Sequence, residues 1–323
     1  MDFGIVGLGN HSLNRIMPAF KTAGLSIRSV YSSDKEKGGR VAAEYGAEYF
    51  NDLKKMMSSD IDGVYIGSPN FLHFPQAKLA LDSGKNVLLE KQMTLKTSEA
   101  EELISISEKS GLALAIGFHM RFHPALKKIM DIVRSGDIGD PVSVSGTWGG
   151  QPSSPHSTTD RQWWGEEDKA GGGSIMGTGV HVLDSILYVL GKPPERVFSV
   201  KFPANTLIDT TQQVDMIYTG MIATAVSSRK TRKPDNSLYV SGSEGTVFGK
   251  DIFGTSILGS LILNGKVLDT YSGGSPYEGE LRSFASLING KESNIALGRD
   301  GANIVRIVTA ANESSSRGIS ISL

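Results

Sequence analysis

From residue 3 to residue 116 the chain keeps one rhythm: a short apolar run, a turn, an amphipathic stretch, a turn, and another apolar run. Phe3 to Leu8, Ser26 to Ser32, Asp62 to Gly67, Asn86 to Leu89 and Leu112 to Ile116 read as strands. Leu13 to Thr22, Asp34 to Tyr45, Phe71 to Ser83 and Ser98 to Gly111 read as helices. Asp34 is placed to cap its helix, and Ser98 with Glu101 has the spacing of a capping box. Apolar strands each followed by a helix call for a parallel sheet with helices on both faces. The expectation is an α/β chain opening on a doubly wound domain, residues 1–119.

Residues 120–323 follow a different grammar. A helix from Pro124 to Arg134 precedes a strand around Val142 to Trp148. A loop rich in Gly, Pro, Ser and Trp runs from Gly149 to Gly173, and a helix follows from Ile175 to Leu190. Strands then succeed one another around Val197, Gln213, Ile222, Leu238, Thr246, Leu258 and Lys266, with helices near Glu278 to Asn289 and Asp300 to Ser314. Strands joined by short turns indicate an antiparallel or mixed sheet in a second α/β domain.

The chain has 323 residues, with 33 Lys and Arg against 34 Asp and Glu. That balance asks for neither nucleic acid nor an anionic membrane as partner. The absence of cysteine removes disulfides, thiolate metal sites and cysteine nucleophiles together. The start, "MDFGIVGLGN", lacks the basic and long apolar segments of a signal peptide, and no apolar run approaches the roughly 20 residues of a membrane span. A cytoplasmic location is expected.

"GIVGLGNHSLNR" follows the first strand and opens the first helix. Gly7 and Gly9 supply the tight turn and close backbone approach that a pyrophosphate needs, next to the N–H groups of a helix start. Asn10 and His11 complete the loop, and Ser12 stands where the pattern has its third glycine. Position and following βα alternation make this a dinucleotide site rather than a glycine turn of another kind. The second strand ends on Ser32 and Ser33, with Asp34 set late as a cap and Lys35, Lys37 and Arg40 following. Hydroxyls and cations suit a 2′-phosphate, which favours NADP over NAD, although the lysines also fit a solvated helix face.

Ligands of a doubly wound sheet bind outside the carboxyl ends of its strands. "NVLLEKQ" delivers Glu90 and Lys91 to such an end. Partial desolvation there makes a lysine a usable proton donor or acceptor, whereas a solvent-exposed ion pair with Glu90 would contribute little. "SPNFLH" brings Ser68, Asn70 and His73 to another strand end, where a turn with a helix cap is the simpler reading. "GGGSIMGTGVHVLD" sets a glycine-rich entry before a helix carrying Thr178, His181 and Asp184, the last two sharing a face. In "HMRFHP", His119 and His123 lack an acidic third ligand, and no metal is assigned.

Taken in order, "GIVGLGN", "SPNFLHFPQAKLALDSGKNVLLEKQ", "RFHP", "GGGSIMGTGVHVLD" and "YVSGSEGTVFG" make the chain resemble the glucose–fructose oxidoreductase / inositol dehydrogenase / MocA family along nearly its whole length. The resemblance implies a Rossmann domain, a second domain with a large open, mostly antiparallel sheet that mediates homodimers or homotetramers, and NAD(P)-dependent hydride transfer at a sugar or polyol carbon. "YSSDKEKG" looks most like NADP-using anhydrofructose reductases. Lys91 matches the lysine of the family's Glu-Lys-Pro motif, which assists proton transfer, and His181 the histidine that contacts the reacting oxygen. Asn70, His73 and Glu90 match cofactor-lining positions. Arg121 matches a position near the substrate and is counted with the cofactor set.

Three departures bear on the substrate. Gln92 replaces the motif proline, which loosens the backbone constraint there. Gly177 stands where many members carry an aspartate four residues before the histidine, and Trp163-Trp164 where the family often has Trp-Arg. An aromatic pair in a Gly/Pro/Ser-rich loop suits the apolar C–H face of a sugar better than a core position, so Trp163 and Trp164 are expected to line the substrate pocket together with Lys91, Thr178 and His181. These changes indicate a less anionic or more apolar pocket. The leading expectation is an NADP(H)-dependent sugar or polyol oxidoreductase with Lys91 as proton relay. The alternative is a cofactor-binding sensor or structural protein with a degenerate site, which Gly177 favours and the joint presence of Lys91 and His181 opposes. A third reading, transient use of nicotinamide in glycoside cleavage, needs a further site that the sequence does not display. The run "SSRKTRKPDN" reads as a solvated basic turn, with a subunit edge or a phosphorylated substrate as its other readings.

Overall fold

The computed structural model describes residues 1–151 and 159–323; seven residues of the expected Gly149–Gly173 loop thus lie outside the described residues. The chain forms two compact units, Met1–Phe118 with Tyr277–Ala302, and His119–Pro276 with Asn303–Leu323.

The first unit is built on β1 (Asp2–Val6), β2 (Ser26–Tyr31), β3 (Glu48–Phe50), β4 (Gly63–Ile66), β5 (Asn86–Leu89) and β6 (Leu114–Ile116). Their order is β6-β5-β4-β1-β2-β3, all parallel, and β15 (Ala296–Leu297) adds an antiparallel edge beside β6. The order reverses at β1 and β4, so the crevice beyond their carboxyl ends is the topological switch point. Residues Val64 to Ile66 and Val87 to Leu89 are fully buried, as strands covered on both faces must be. Helices α1 (Met17–Ala23), α2 (Lys35–Tyr45), α3 (Leu53–Met57), α4 (Asn70–Asp82) and α5 (Thr97–Ser110) make the connections. A π-helical turn, Ser12–Ile16, leads into α1.

Two local expectations change. The capping box does not form: α5 starts at Thr97 with Lys96 as its N-cap, so Ser98 is already inside the helix. β3 and α3 are too short for a periodic signal and lie in a stretch that the apolar pattern leaves unassigned. At longer range, residues 120–323 do not stay within one unit. Helix α9 (Pro276–Ile288) buries Tyr277, Leu281 and Phe284, and the Phe284 ring packs 5.9 Å from Phe3 at the start of the chain. An apolar helix face does not announce which core it will join.

The second unit centres on β7 (Pro141–Gly149), β8 (Arg196–Phe202), β9 (Thr211–Tyr218), β10 (Met221–Ser228), β11 (Leu238–Gly242), β12 (Thr246–Lys250), β13 (Leu258–Leu263), β14 (Lys266–Ser272) and β16 (Ile321–Ser322). They form a nine-stranded sheet in the order β14-β13-β12-β11-β7-β10-β9-β8-β16. Every neighbouring pair is antiparallel except β7 with β10. One face buries Val144, Val214, Met216, Ala223, Ala225, Val240 and Val247. Against it pack α6 (Pro124–Ser135) and α8 (Val180–Leu190). A Cβ on Gly146 of β7 would lie 2.6 Å from Val182 Cγ1, so this glycine lets α8 sit close on the sheet. The short α7 (Glu167–Ala170) precedes α8, and α10 (Gly298–Arg317) leads to the final strand, β16. Among the described residues, the stretch Glu167–Leu190 is long and apolar enough for a membrane span by composition, and most of it is buried within the protein.

Candidate active site

In the first unit, Gly7 adopts φ +89°, and a Cβ there would lie 2.8 Å from the Ser68 amide nitrogen. Only glycine allows the β1 loop to approach the loop after β4 so closely. A Cβ on Gly9 would meet nothing within 4 Å. An open backbone cradle therefore faces outward immediately before a helical start, and it fits a pyrophosphate. Ser12 is fully buried, and a Cβ on Gly67 would lie 2.8 Å from its Oγ, so only a small residue fits this third position. The Ser12 Oγ has no hydrogen-bond partner among the described residues. Asn10 is exposed and its Oδ1 accepts a long 3.4 Å hydrogen bond from Asn14.

His11 reaches from this loop to the strand-end motif. Its Nε2 lies 3.1 Å from Glu90 Oε1, and the same oxygen accepts from Tyr65 OH at 3.0 Å. Glu90 Oε2 accepts from the Lys91 amide at 3.2 Å. The His11 ring meets Tyr277 edge-on at 5.2 Å. Burial first, and then the charges of Glu90 and Glu280, push the Tyr65 and Tyr277 phenols well above their ordinary range, so both stay protonated. Tyr65, Tyr277 and the fully buried Glu280 went unread in the sequence. The available signal was a glutamate on the otherwise apolar face of α9.

His73 joins two strand ends. Its Nδ1 lies 2.6 Å from the Gln92 carbonyl and its Nε2 2.8 Å from the Ser68 carbonyl. Burial lowers its pKa, and the two carbonyls act in the opposite direction. The Ser68 hydroxyl donates to Gln76 at 2.5 Å, and Asn70, buried, opens α4. The Lys91–Gln92 peptide is cis, and Gln92 is buried. In place of proline's ring, this backbone is held through the His73 contact to the Gln92 carbonyl. Lys91 is half-buried at the carboxyl end of β5.

Around the second strand end, Asp34 caps α2 by accepting from the Lys37 amide at 3.0 Å. The Ser32 hydroxyl in turn accepts from the Asp34 amide at 3.2 Å. Ser33 is exposed, and Lys37 half-exposed.

In the second unit, the glycine-rich entry is organised by Asp209, which sequence reasoning missed. Its carboxylate accepts from the amides of Gly173 and Ser174, each at 2.8 Å, from Ile175 at 3.3 Å, and from the Ser174 hydroxyl. An acid at a helix start stabilises it by accepting orphan N–H groups and complementing the dipole. A Cβ on Gly173 would collide with the Asp209 carbonyl, which accounts for that glycine. A π-helical turn, Ile175–Gly179, then delivers α8. His181 is buried between the rings of His119, at 4.6 Å and 71°, and Trp148, at 5.2 Å. Trp148 stacks on Phe253 at 5.5 Å, and His119 Nε2 lies 3.1 Å from the Gly254 carbonyl, so that nitrogen carries the proton. Thr178 donates to the Trp148 carbonyl at 3.1 Å.

Asp184 is committed to Arg121. Nε and Nη2 of Arg121 reach Oδ2 and Oδ1 at 3.0 and 2.6 Å, with both side chains buried. The guanidinium also lies 5.0 Å from the Tyr188 ring. Trp163 and Trp164 are half-exposed and stacked at 4.5 Å, and Arg229 lies 4.8 Å over the Trp164 ring.

His123 has its protonation state written in its contacts. Nδ1 accepts from the Ala125 amide at 3.1 Å, and Nε2 donates to the Leu258 carbonyl at 2.9 Å. That is the neutral ring, and burial lowers its pKa below the ordinary 6.5. Above the unfolded value both states are neutral and stability is complete. As pH falls below it, the unfolded chain takes up a proton that the folded ring refuses, and stability is lost until the folded pKa is passed. Thermal stability should therefore decline from about pH 6.5 downward, with a slope from this group of at most about 1.4 kcal/mol per pH unit. His73 is shifted in the same direction. In His123→Asn, which keeps an acceptor for Ala125, thermal unfolding across pH should show a shallower decline; an unchanged slope would refute the assignment.

Two family models match this chain. Residues 1–118 match the oxidoreductase family with an NAD-binding Rossmann fold, and residues 126–248 match the GFO/IDH/MocA C-terminal domain. The 1,5-anhydro-D-fructose reductase of Ensifer adhaerens is 25% identical over 308 residues, covering 93% of this chain and 91% of the relative. D-xylose 1-dehydrogenase (NADP(+)) 2 of Haloferax volcanii is 26% identical, with all of both chains covered. The crystal structure of aldose-aldose oxidoreductase from Caulobacter crescentus, complexed with glycerol, superposes with a TM-score of 0.87 over 100% of this chain and 99% of that one. At 24% identity this last likeness speaks for the fold.

Proposed function

Since the chain belongs to the GFO/IDH/MocA family of oxidoreductases, with its NAD(P)-binding Rossmann fold and its C-terminal domain, we propose that it is an NADP(H)-dependent oxidoreductase acting on a sugar, sugar derivative or polyol. The observation that carries this reading is the strand end of β5. Lys91 leaves it half-buried, on a backbone held by His73, beside a Glu90 that is tied to His11 of the glycine loop. The relatives named as a sugar reductase and a sugar dehydrogenase support the substrate class.

Gly7, Gly9, Asn10, His11 and Ser12 would hold the pyrophosphate side of the dinucleotide. Ser68, Asn70, His73 and Glu90 would line it further along. When bound, the dinucleotide supplies the hydride acceptor or donor. Lys91 gives or takes the proton at the substrate's reacting oxygen, and His181 positions that oxygen. Trp148 and His119 hold the imidazole by ring contact, so its orientation does not depend on a carboxylate at position 177. Arg121 is assigned a bracing role through Asp184 rather than a direct cofactor contact. The outward side of the nine-stranded sheet carries Ile217, Ile222, Val226, Tyr239 and Phe248, which supports a homo-oligomer formed through it.

NADP is favoured because Asp34, the acid at the end of β2, is occupied in capping α2, and the exposed Ser33 and the cation Lys37 stand beside it on the side where a 2′-phosphate would be read. Ser33→Asp should weaken NADPH by about tenfold or more relative to NADH through like-charge repulsion. Fluorescence titration of both nucleotides checks it, and an unchanged affinity ratio would sink the NADP assignment. The function itself is tested by following nicotinamide absorbance with NADP(H) and a panel of aldoses, inositols, polyols and matching carbonyl compounds. Turnover supports the oxidoreductase. Tight NADPH binding without turnover of any compound would instead favour the cofactor-binding sensor, for which Gly177 is the motivating residue.

A further inference from the structure

Where β1, β4, β5 and β6 end, Val6, Ile66, Leu89 and Ile116 lie in register. The residues that follow them are Gly7, Gly67, Glu90 and Gly117. Glu90 therefore carries the single side chain in a row otherwise made of glycine, and the row is cut back around it. A Cβ on Gly117 would lie 3.1 Å from Glu90 Oε1. One on Gly67 would lie 2.7 Å from Cε1 and 2.8 Å from the hydroxyl of Tyr65. The phenol thus reaches Glu90 through space that a side chain at 67 would need. A carboxylate is tolerated in such a buried place when donors are brought to it.

Three donors are in place. Tyr65 OH and His11 Nε2 meet Oε1 at 3.0 and 3.1 Å, and the Lys91 amide meets Oε2 at 3.2 Å. An ionised carboxylate only accepts, so the His11 ring carries its proton on Nε2. Burial and the Glu90 charge keep the Tyr65 phenol protonated and able to donate. His11 is half-exposed on the glycine loop, and the Tyr277 ring meets it edge-on at 5.2 Å. One carboxylate thus ties the Lys91 backbone to a buried phenol through one oxygen's partners and to the glycine loop through the same oxygen. Hydrogen bonds to an ionised group are the stronger kind, and they aim the main chain from which the Lys91 side chain departs. A proton carrier displaced by about 1 Å can lose about 10²-fold in rate.

We infer that Tyr65 and His11 are positioning residues for proton transfer by Lys91: acting through the Glu90 carboxylate, they hold the Lys91 backbone in its working direction, and His11 joins that hold to the loop that would carry the pyrophosphate. Neither side chain touches the reacting atoms in this role. The inference rests on the oxidoreductase reading above, which gives Lys91 its task.

The test uses the full chain and two readouts. In the cofactor-free protein, lysine-selective nitrogen-15 labelling follows the Lys91 amide, whose resonance is identified by its loss in Lys91→Met. That amide should exchange with solvent about tenfold faster, or more, in Tyr65→Phe and in His11→Asn. Turnover with NADP(H) is the second readout. In both variants kcat should fall by about tenfold to a hundredfold, the range of a hydrogen bond to a charged group, with substrate KM and NADPH affinity within about threefold. His11→Gln should keep kcat within about threefold of the wild type, because its amide nitrogen falls near the place of Nε2, whereas that of asparagine falls near Nδ1. In a Lys91→Met background, Tyr65→Phe and His11→Asn should change kcat by less than about twofold, since a residue acting through Lys91 has nothing left to act on. Full additivity with Lys91→Met overturns the inference, as does a Lys91 amide that neither variant alters. A loss of NADPH affinity in His11→Asn with kcat preserved overturns it in favour of a dinucleotide contact alone. Should Tyr65→Phe fail to fold, the half-exposed His11 pair carries the test. Release of the Lys91 amide in a protein that turns over no compound supports the hold while counting against the oxidoreductase; turnover with kcat unchanged in both variants does the reverse.

Discussion

Replacing Lys91 by methionine is expected to lower kcat by about 10²–10⁴-fold while leaving dinucleotide affinity within about threefold of the wild type. The asymmetry follows from the local structure. The aliphatic stem of methionine can occupy the space of the lysine stem, and the carboxylate of Glu90 keeps its ties to Tyr65 and His11 without the Lys91 side chain. The backbone on which Lys91 rides is held by the His73 contact to the Gln92 carbonyl at 2.6 Å, which the substitution leaves in place. On the role proposed for Lys91, what is lost is a proton carrier. Single-turnover measurements with NADPH would separate the two effects, since a proton-transfer defect slows the hydride step itself. A decrease in kcat smaller than about tenfold would remove Lys91 from the chemistry.

The second large effect is structural. Asp184→Asn should cost about 3–5 kcal/mol and lower the thermal midpoint by about 10 °C. The pair it breaks is bidentate, at 3.0 and 2.6 Å, with Arg121 8% and Asp184 1% exposed. Removing one charge strands the other in a medium that cannot solvate it. The double variant Arg121→Met, Asp184→Leu should recover much of the loss, because a desolvated ion pair is costly to maintain and an apolar pair of similar size is not. It also decides the role of Arg121. Unchanged NADPH affinity in the folded double variant fits a brace for α8, whereas a large loss would return Arg121 to the cofactor-binding residues. A single variant destabilised by less than about 1 kcal/mol would show the pair to be dispensable.

Regular periodicity carried much of the architecture. Strands from Phe3 to Ile116 and from Val142 to Tyr271 were readable because an apolar run between turn residues has few other interpretations. Asp34 as a cap was readable for the same local reason. The capping box failed because a motif of that spacing can sit one residue inside a helix as easily as at its start. Long-range partners were not legible. His181 and Asp184 lie three apart on one helix, yet one packs among rings and the other takes a guanidinium from residue 121. Asp209 and Arg229 reach the same glycine-rich entry from segments that carry no motif of their own. The aromatic pair Trp163-Trp164 invited an apolar pocket because its cation arrives from 65 positions away in the chain.

The return of Tyr277–Ala302 to the first unit has a bearing on how such a chain can be inherited. Residues 1–118 look like a cassette that recombination could lift from one gene and join to another. Cut out in that form, the cassette would leave behind the strand that closes the edge of its sheet and the helix whose Phe284 covers Phe3. It would also lose Glu280 and Tyr277, which stand by the buried Glu90 and Tyr65. Any exchange of the dinucleotide half must therefore carry a matching piece from near the other terminus.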